Sequence, residues 1–336
     1  MASVGVSPGP PAGTLAVRPR RESVSSWPLI DRFWFGLAWL TGVGLCVIAF
    51  AIVAIMLVKG IGYLNLSDFT TAPAASLQQN QSGGFSDPII GTLIVTAIGI
   101  AIAAPVGVAI AAWLAEYGRP SWLARTVESA IEMLAGTPSV VLAIFGLAVL
   151  SQGFLGFLSE GASKGSLGES FFNAGIVMSL IALPLVVAST REGLFQLPDR
   201  LREASYALGK TRATTIRCVL LPAIRPSMAS GIVLGMGRII GDTAIITIVL
   251  GATLRNEPVN NVPVIGLLRG TGSTLTSYIF YNSPAGEGNS HEKAYAAAFV
   301  LLVIVLLLNS IVTRLTRGPR ERRTAFRLPR FGAPRS

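Results

Sequence analysis

Histidine occurs once in this chain, at His291, and cysteine twice, at Cys46 and Cys218. A single histidine leaves no multi-histidine metal site to build. The cysteines fall in an apolar run and a basic loop, so no disulfide framework is expected. Charge is scarce as well. Asp, Glu, Lys and Arg make up 13% of the 336 residues, whereas an ordinary soluble domain carries about 25%. So few charges cannot cover a water-facing surface, which excludes a soluble enzyme with an appended tail. What fills the chain is apolar: 51% hydrophobic residues and a mean hydropathy of +0.61. An all-α polytopic membrane protein is the class that fits.

Crossing roughly 30 Å of hydrocarbon takes about 20 helical residues. Five uncharged runs reach that length: Phe33 to Val58, Pro88 to Ala115, Met133 to Ser159, Ser170 to Thr190 and Ala294 to Thr313. A sixth, about Ser227 to Gly251, is apolar except for Arg238 and Asp242. Six transmembrane helices are therefore expected. The first run is longer than the core of a cleaved signal peptide, typically about 7–15 residues, and reads as a retained span.

The basic residues then choose an orientation. Of 27 Lys and Arg, 21 precede the first span, lie in the second and fourth loops, or follow the last span. Five lie in the alternate loops, and Arg238 is the remaining one. Positive-inside places both termini in the cytoplasm, as an even number of spans requires. Residues 1–32, rich in Pro, Gly and Ser, and 314–336, rich in Arg, read as cytoplasmic tails. Beside a membrane, the basic tail is expected to meet anionic lipid rather than nucleic acid. The permease domain proper is 33–313, and its external segment from Gly60 to Asp87 is a polar loop.

The cytoplasmic connection 191–226 is the least random stretch. Pro198-Asp199 supplies a helix start, with Asp199 as the expected cap. Leu201, Ala204, Ser205 and Leu208 recur at i, i+3, i+4 and i+7, the spacing of a short amphipathic helix. Gly209 can take the left-handed position that stops it. Thr211 can cap a second helix running through Ile216 and Val219 to Leu221-Pro222. Helix, glycine turn and helix suit either a connector lying on the membrane or a docking element for a soluble partner. Gly209-Lys210-Thr211 imitates the end of a Walker A loop, but the earlier glycine is replaced by Ala204 and no strand precedes it.

Glu203-Ala204-Ser205-Tyr206-Ala207-Leu208-Gly209, nine residues, then Val219-Leu220-Leu221-Pro222 resembles the EAA signature of ABC importer permeases. Ser205 stands for the second alanine and Val219 for isoleucine. The resemblance implies that Glu203, Ala204, Ser205, Gly209, Leu221 and Pro222 couple the spans to a separate cytoplasmic ATPase. This chain would then bind no cofactor itself, ATP being used by that partner.

Arg238 lies near the middle of the fifth expected span, with Asp242 at i+4 on the same helix face. An arginine at mid-membrane costs roughly 2.5–3.5 kcal/mol on insertion scales. A mutual salt bridge relieves part of that cost, yet buried ion pairs rarely beat apolar packing. A functional role is the stronger reading, because the planar guanidinium fork matches oxyanions. Asp242 would hold Arg238 in the empty state and release it to an arriving anion, with Thr243 adding a hydroxyl. Gly231, Gly235, Gly237 and Gly241 form two G-x-x-x-G pairs that admit close helix approach. In the third span Pro138, between Thr137 and Ser139, is expected to kink the helix and free a carbonyl near two hydroxyls.

L-A-G-T-P-S-V-V at 134–141, L-P-L-V-V at 183–187, L-R-E-A-S-Y-A-L-G at 201–209 and G-R-I-I-G-D-T-A at 237–244 together resemble the permeases of phosphate ABC importers, the PstA and PstC family. The leucine and arginine ahead of the EAA signature look more like PstA. The family's R-x-x-G-E-T motif maps onto Arg238 and Asp242, with aspartate replacing glutamate. The resemblance implies a type I permease in the bacterial cytoplasmic membrane, with Arg238, Asp242, Thr243, Thr137 and Ser139 along the phosphate path. Its implied partners are a PstC-like subunit, a cytoplasmic ATPase dimer and an extracytoplasmic phosphate-binding protein. No catalytic residue and no metal site is expected. Another oxyanion, sulfate or molybdate, is the alternative cargo; a secondary transporter or membrane enzyme using the Arg238–Asp242 pair is the alternative class.

Overall fold

In hydrocarbon every backbone N–H and C=O must find its partner within the chain, so long apolar runs fold as helices. The computed structural model describes residues 28–73, 83–118, 121–152, 168–251, 256, 265–284, 286 and 290–316. In chain order its helices are α1 (Leu29–Gly62), α2 (Ser86–Glu116), α3 (Trp122–Gly136), α4 (Ser139–Leu150), α5 (Phe171–Phe195), α6 (Asp199–Ala207), α7 (Arg212–Thr215), α8 (Leu221–Ala223), α9 (Arg225–Gly241), α10 (Thr243–Val249), α11 (Ile265–Arg269), α12 (Leu275–Asn282) and α13 (His291–Thr316). A single π turn, Ile216–Leu220, joins α7 to α8.

The chain divides into two compact units, 1–54 and 55–336. In the first, the described residues belong almost wholly to α1, which is apolar on every face as a lipid-exposed span should be. The second holds everything else. Its central post is α5: 72% of its most apolar stretch is buried, against 28% for α2 and 17% for α13. α5 packs against α2 on one side and α9 on another, while α4 lies against α10. One apolar cluster ties these helices together through residues such as Val95, Leu142, Met178, Ile239 and Ile246. A second cluster seats Leu275 and Tyr278 of α12 against Ala296, Ala297 and Val300 of α13. Beside it Lys293 forms an ion pair with Asp68, Nζ to Oδ1 at 3.5 Å. Burial, and then the charge of Asp68, push the Tyr278 phenol up to about 12.

The expected spans 33–58, 88–115, 170–190 and 294–313 fall on α1, α2, α5 and α13, each long and apolar enough to cross a membrane. The other two expected spans are broken, and each requires a correction. The run from Met133 to Ser159 is not one helix: α3 ends, the chain turns through 111°, and α4 begins. Pro138 causes this corner rather than a kink. It forces Thr137 ahead of it into extended backbone, φ −75° and ψ 130°. Met133 therefore belongs to α3, and Ser159 lies outside the described residues. With 12 residues, α4 spans only about 18 Å.

The expected span 227–251 is α9 followed by α10, interrupted at Asp242, whose φ of −88° and ψ of 114° are extended. α9 also meets the preceding short helices at a 73° bend. With each bent pair counted as one span, the structure has up to six.

Candidate translocation face and coupling loop

α9 has two sides. Gly231 and Gly235 are buried against α5, and a Cβ on Gly231 would lie 3.0 Å from Ser189 Cβ and 3.1 Å from Val186 Cα. The other G-x-x-x-G pair faces the opposite way. No heavy atom lies within 4 Å of a Cβ built on Gly237 or Gly241. Arg238 stands on this open side, exposed together with Leu234, Gly237 and Gly241. The first glycine pair is thus consumed by packing within the chain, and the second leaves a clear approach to the arginine.

The expected Arg238–Asp242 pair is not formed. Among the described residues Arg238 makes no hydrogen bond or ion pair. Asp242 is buried, and its Oδ1 accepts the Ile245 N–H at 3.1 Å, capping α10. The i+4 geometry assumed a continuous helix; the break at Asp242 turns its carboxylate toward the next helix instead. Thr243 opens α10, half-buried, and its carbonyl accepts the Thr247 hydroxyl at 2.9 Å.

Thr137 and Ser139 flank the corner as expected, and the corner explains the threonine's bond. Thr137 N–H donates to Leu134 O, so Met133 O receives the Thr137 hydroxyl at 2.6 Å. Ser139 is the first residue of α4. Among the described residues no hydrogen bond joins Thr137 or Ser139 to Arg238.

The loop 191–226 folds as helix, turn and helix. Pro198, rather than Asp199, occupies the cap position, and Asp199 begins α6. Gly209 has φ +75°. Its N–H bonds Tyr206 O and the Lys210 N–H bonds Ser205 O, the paired closure of a Schellman turn. Thr211 caps α7 by accepting the Thr214 N–H at 3.3 Å. Ser205 is buried, and its hydroxyl meets that of Thr215 at 2.8 Å, locking α6 to α7. Glu203, Ala204, Gly209 and Pro222 are exposed, and Leu221 is half-buried. The apolar stripe is only partly buried: Leu201 is 38% and Leu208 79% exposed. Tyr206 is 40% exposed beside them. Exposed apolar side chains on a short, internally locked hairpin of helices are a surface suited to a partner.

Sequence reasoning missed what Arg202 does. Its Nε donates to Glu116 Oε1 at 2.8 Å and its Nη2 to Leu194 O at 3.1 Å. Its Nη1 reaches Asp199 Oδ1 at 3.2 Å and Leu197 O at 3.4 Å. Arg212 adds a bond from Nη1 to Glu116 O at 3.3 Å and lies over the Tyr117 ring. A separate ion pair joins Arg191 of α5 to Glu128 of α3.

Known proteins supply the context. The family described as binding-protein-dependent transport system inner membrane component matches residues 103–321. The probable ABC transporter permease YqgH of Bacillus subtilis (strain 168) is 33% identical over 238 residues, covering 70% of this chain and 69% of that protein. The phosphate transport system permease PstC of Xylella fastidiosa (strain 9a5c) is 30% identical over 247 residues, covering 68% and 71%. The phosphate transport system permease PstA 1 of Mycobacterium tuberculosis (strain CDC 1551 / Oshkosh) is 29% identical over 235 residues, covering 69% and 70%. PstC and PstA relatives match almost equally well, so they do not separate the two kinds. A bacterial ABC transporter involved in the import of alginate shares the fold, with a TM-score of 0.57 over 86% of this chain and 98% of that one at 17% identity. The family model matches well over half of the chain and the relatives agree with it: the chain belongs to the family of binding-protein-dependent transport system inner membrane components.

Proposed function

We propose that this chain is the permease subunit of a phosphate importer, with Arg238 meeting the anion in the membrane and the loop 191–226 receiving a separate ATPase. That it is an ABC importer permease, a multi-pass protein of the inner membrane and not an enzyme follows from its family and relatives. Phosphate as cargo is the further step. It is supported by relatives named as phosphate transport permeases and by the chemistry of Arg238.

Arg238 carries the argument. It lies in the last turn of α9, where the helix dipole returns roughly 0.3–1 kcal/mol to a cation. That falls short of the roughly 2.5–3.5 kcal/mol that an arginine costs within a membrane helix. Among the described residues no ion pair makes up the difference, and glycines clear the space around the guanidinium. A fork of five donors left open on such a face is suited to a tetrahedral oxyanion. Asp242, engaged with α10, does not compete for it.

The remaining parts of the machine are a PstC-like second permease, two copies of an ATPase and an external phosphate-binding protein. The exposed Leu201, Tyr206 and Leu208 support docking of the ATPase on α6. The basic excess of 21 against five supports cytoplasmic termini and a cytoplasmic docking loop. Phosphate would leave the binding protein, pass Arg238 and exit inward without any covalent change.

Uptake of labelled phosphate by the reconstituted transporter tests the reading. Arg238→Lys keeps the charge but loses the bidentate fork, and uptake is expected to fall by roughly tenfold. Arg238→Ala is expected to abolish it while assembly persists. Unchanged uptake in both would remove Arg238 from the path. Stronger inhibition by sulfate or molybdate than by unlabelled phosphate would reassign the cargo.

A further inference from the structure

On the reading of 191–226 as the partner-facing loop, it is joined to the rest of the chain by backbone at both ends, by the apolar cluster that packs Leu197, Ile216 and Leu220 against Ala112 and Leu194, and by guanidinium bonds. The covalent route from α6 to α9 is indirect. It passes the Gly209 turn, the π turn at Ile216–Leu220 and the 73° bend before α9. The guanidinium of Arg202 is a direct route. Its four bonds end on Glu116, the last residue of α2, on Leu194 near the end of α5, on Leu197 between α5 and α6, and on Asp199, the first residue of α6 itself. Glu116 is only 6% exposed in its side chain and Arg202 only 18%, so solvent screens this bond far less than a surface pair.

We propose that Arg202 is a positioning residue for coupling: it delivers movement of α6 directly to the ends of α2 and α5, in parallel with the longer covalent path into α9. The inference rests on the reading of 191–226 as the ATPase-receiving loop. From α5 the movement reaches α9 through the close contacts of Gly231 and Gly235 with Val186, Ser189 and Ala182, and α9 carries Arg238. Arg212 strengthens the same joint, since its bond also ends on Glu116. A lysine would not reproduce the joint, because three donors on one nitrogen cannot match four acceptors spread around a planar fork.

The assembled transporter in proteoliposomes gives the two readouts required, ATP hydrolysis and phosphate uptake. Arg202→Gln is expected to retain the ATPase and its substrate-stimulated hydrolysis while uptake per ATP falls by roughly tenfold. Glu116→Gln, which leaves the carbonyl and Asp199 bonds in place, should lower it by roughly threefold. The double variant should be no worse than Arg202→Gln alone, since both act through one joint. Uptake per ATP within about twofold of the parent in Arg202→Gln, or multiplicative losses in the double variant, would overturn the inference. So would release of the ATPase by both variants, which would make the joint part of docking itself. Gly209→Val separates this from failure of the loop reading. It should release the ATPase or abolish its response to substrate, because a β-branched residue is strained at φ +75°. If Gly209→Val leaves binding, hydrolysis and uptake intact, the loop reading fails and the Arg202 inference falls with it.

Discussion

Arg202 and Arg238 present one side chain in two circumstances. Arg202, beside water in the loop, commits its guanidinium to two carboxylates and two carbonyls. Arg238, in an apolar helix where an unpaired charge costs more, has no such bond among the described residues. If stability alone chose partners, the order would be reversed, since a cation in hydrocarbon gains most from being paired. Arg202 spends four of its five N–H donors on bonds within the chain. On the proposed reading, Arg238 keeps its donors for an arriving anion.

The largest expected effect that sharpens this contrast lies on the two sides of α9. Gly231→Val presses a branched side chain on the Val186 backbone and Ser189 of α5, and such overpacking costs about 1–3 kcal/mol. Gly237→Ala meets no neighbour and should be neutral, or gain up to about 1 kcal/mol from helix propensity. Thermal unfolding in detergent, followed by size-exclusion, measures both. Equal stability of the two variants would break the division of α9 into a packed and an open side.

Asp242 gives the next effect and tests whether Arg238 is free. Asp242→Ala removes the cap on α10 and should cost about 1 kcal/mol; Asp242→Asn keeps the bond to Ile245 and should cost little. Phosphate uptake should follow the same order, with the asparagine variant close to the parent. An asparagine variant as inactive as Arg238→Ala would mean that the carboxylate charge acts on Arg238 during transport, and the contrast with Arg202 would narrow.

Tyr278 gives the smallest effect and checks that lack of a partner alone does not signify function. Its hydroxyl is buried and without a hydrogen-bond partner among the described residues. Tyr278→Phe should therefore be neutral or stabilising by up to about 1 kcal/mol, with uptake unchanged. The phenol's ordinary value of 10.0 is raised to about 12 in the fold, so between those values the native state holds a proton that the unfolded chain has lost. Stability of the parent should fall as pH rises through that window, and that of the phenylalanine variant should fall less. Loss of uptake in Tyr278→Phe would assign the α12–α13 cluster a role that its geometry does not suggest.

How much was readable beforehand depended on the range of the signal. The unbroken spans α1, α2, α5 and α13 were legible because hydrocarbon imposes its length on each independently of its neighbours. The Gly209 stop and the Thr211 cap were legible because both are local chemistry. The corner at Pro138 was signalled but underestimated, since an uncharged run records polarity and not direction. Asp242 misled for a similar reason: i+4 spacing presumes a continuous helix, whereas glycine followed by aspartate is also a stop followed by a start. Arg202 was visible as a letter, but its principal partner lies 86 residues away, and no local pattern announces such a bond.

The π turn at Ile216–Leu220, closed by the Leu221 N–H on Ile216 O, places one more residue in a loop of helix than an α turn would hold. Its consequence is one of phase. Each residue of an α-helix advances the direction of view by about 100°, so one extra residue turns everything before it relative to everything after it by about that amount. The bearing of the exposed face of α6 with respect to α9 is therefore fixed by a count rather than by a strength. Stronger or weaker contacts along the way could stiffen or loosen that bearing, but only the addition or removal of a residue would reset it.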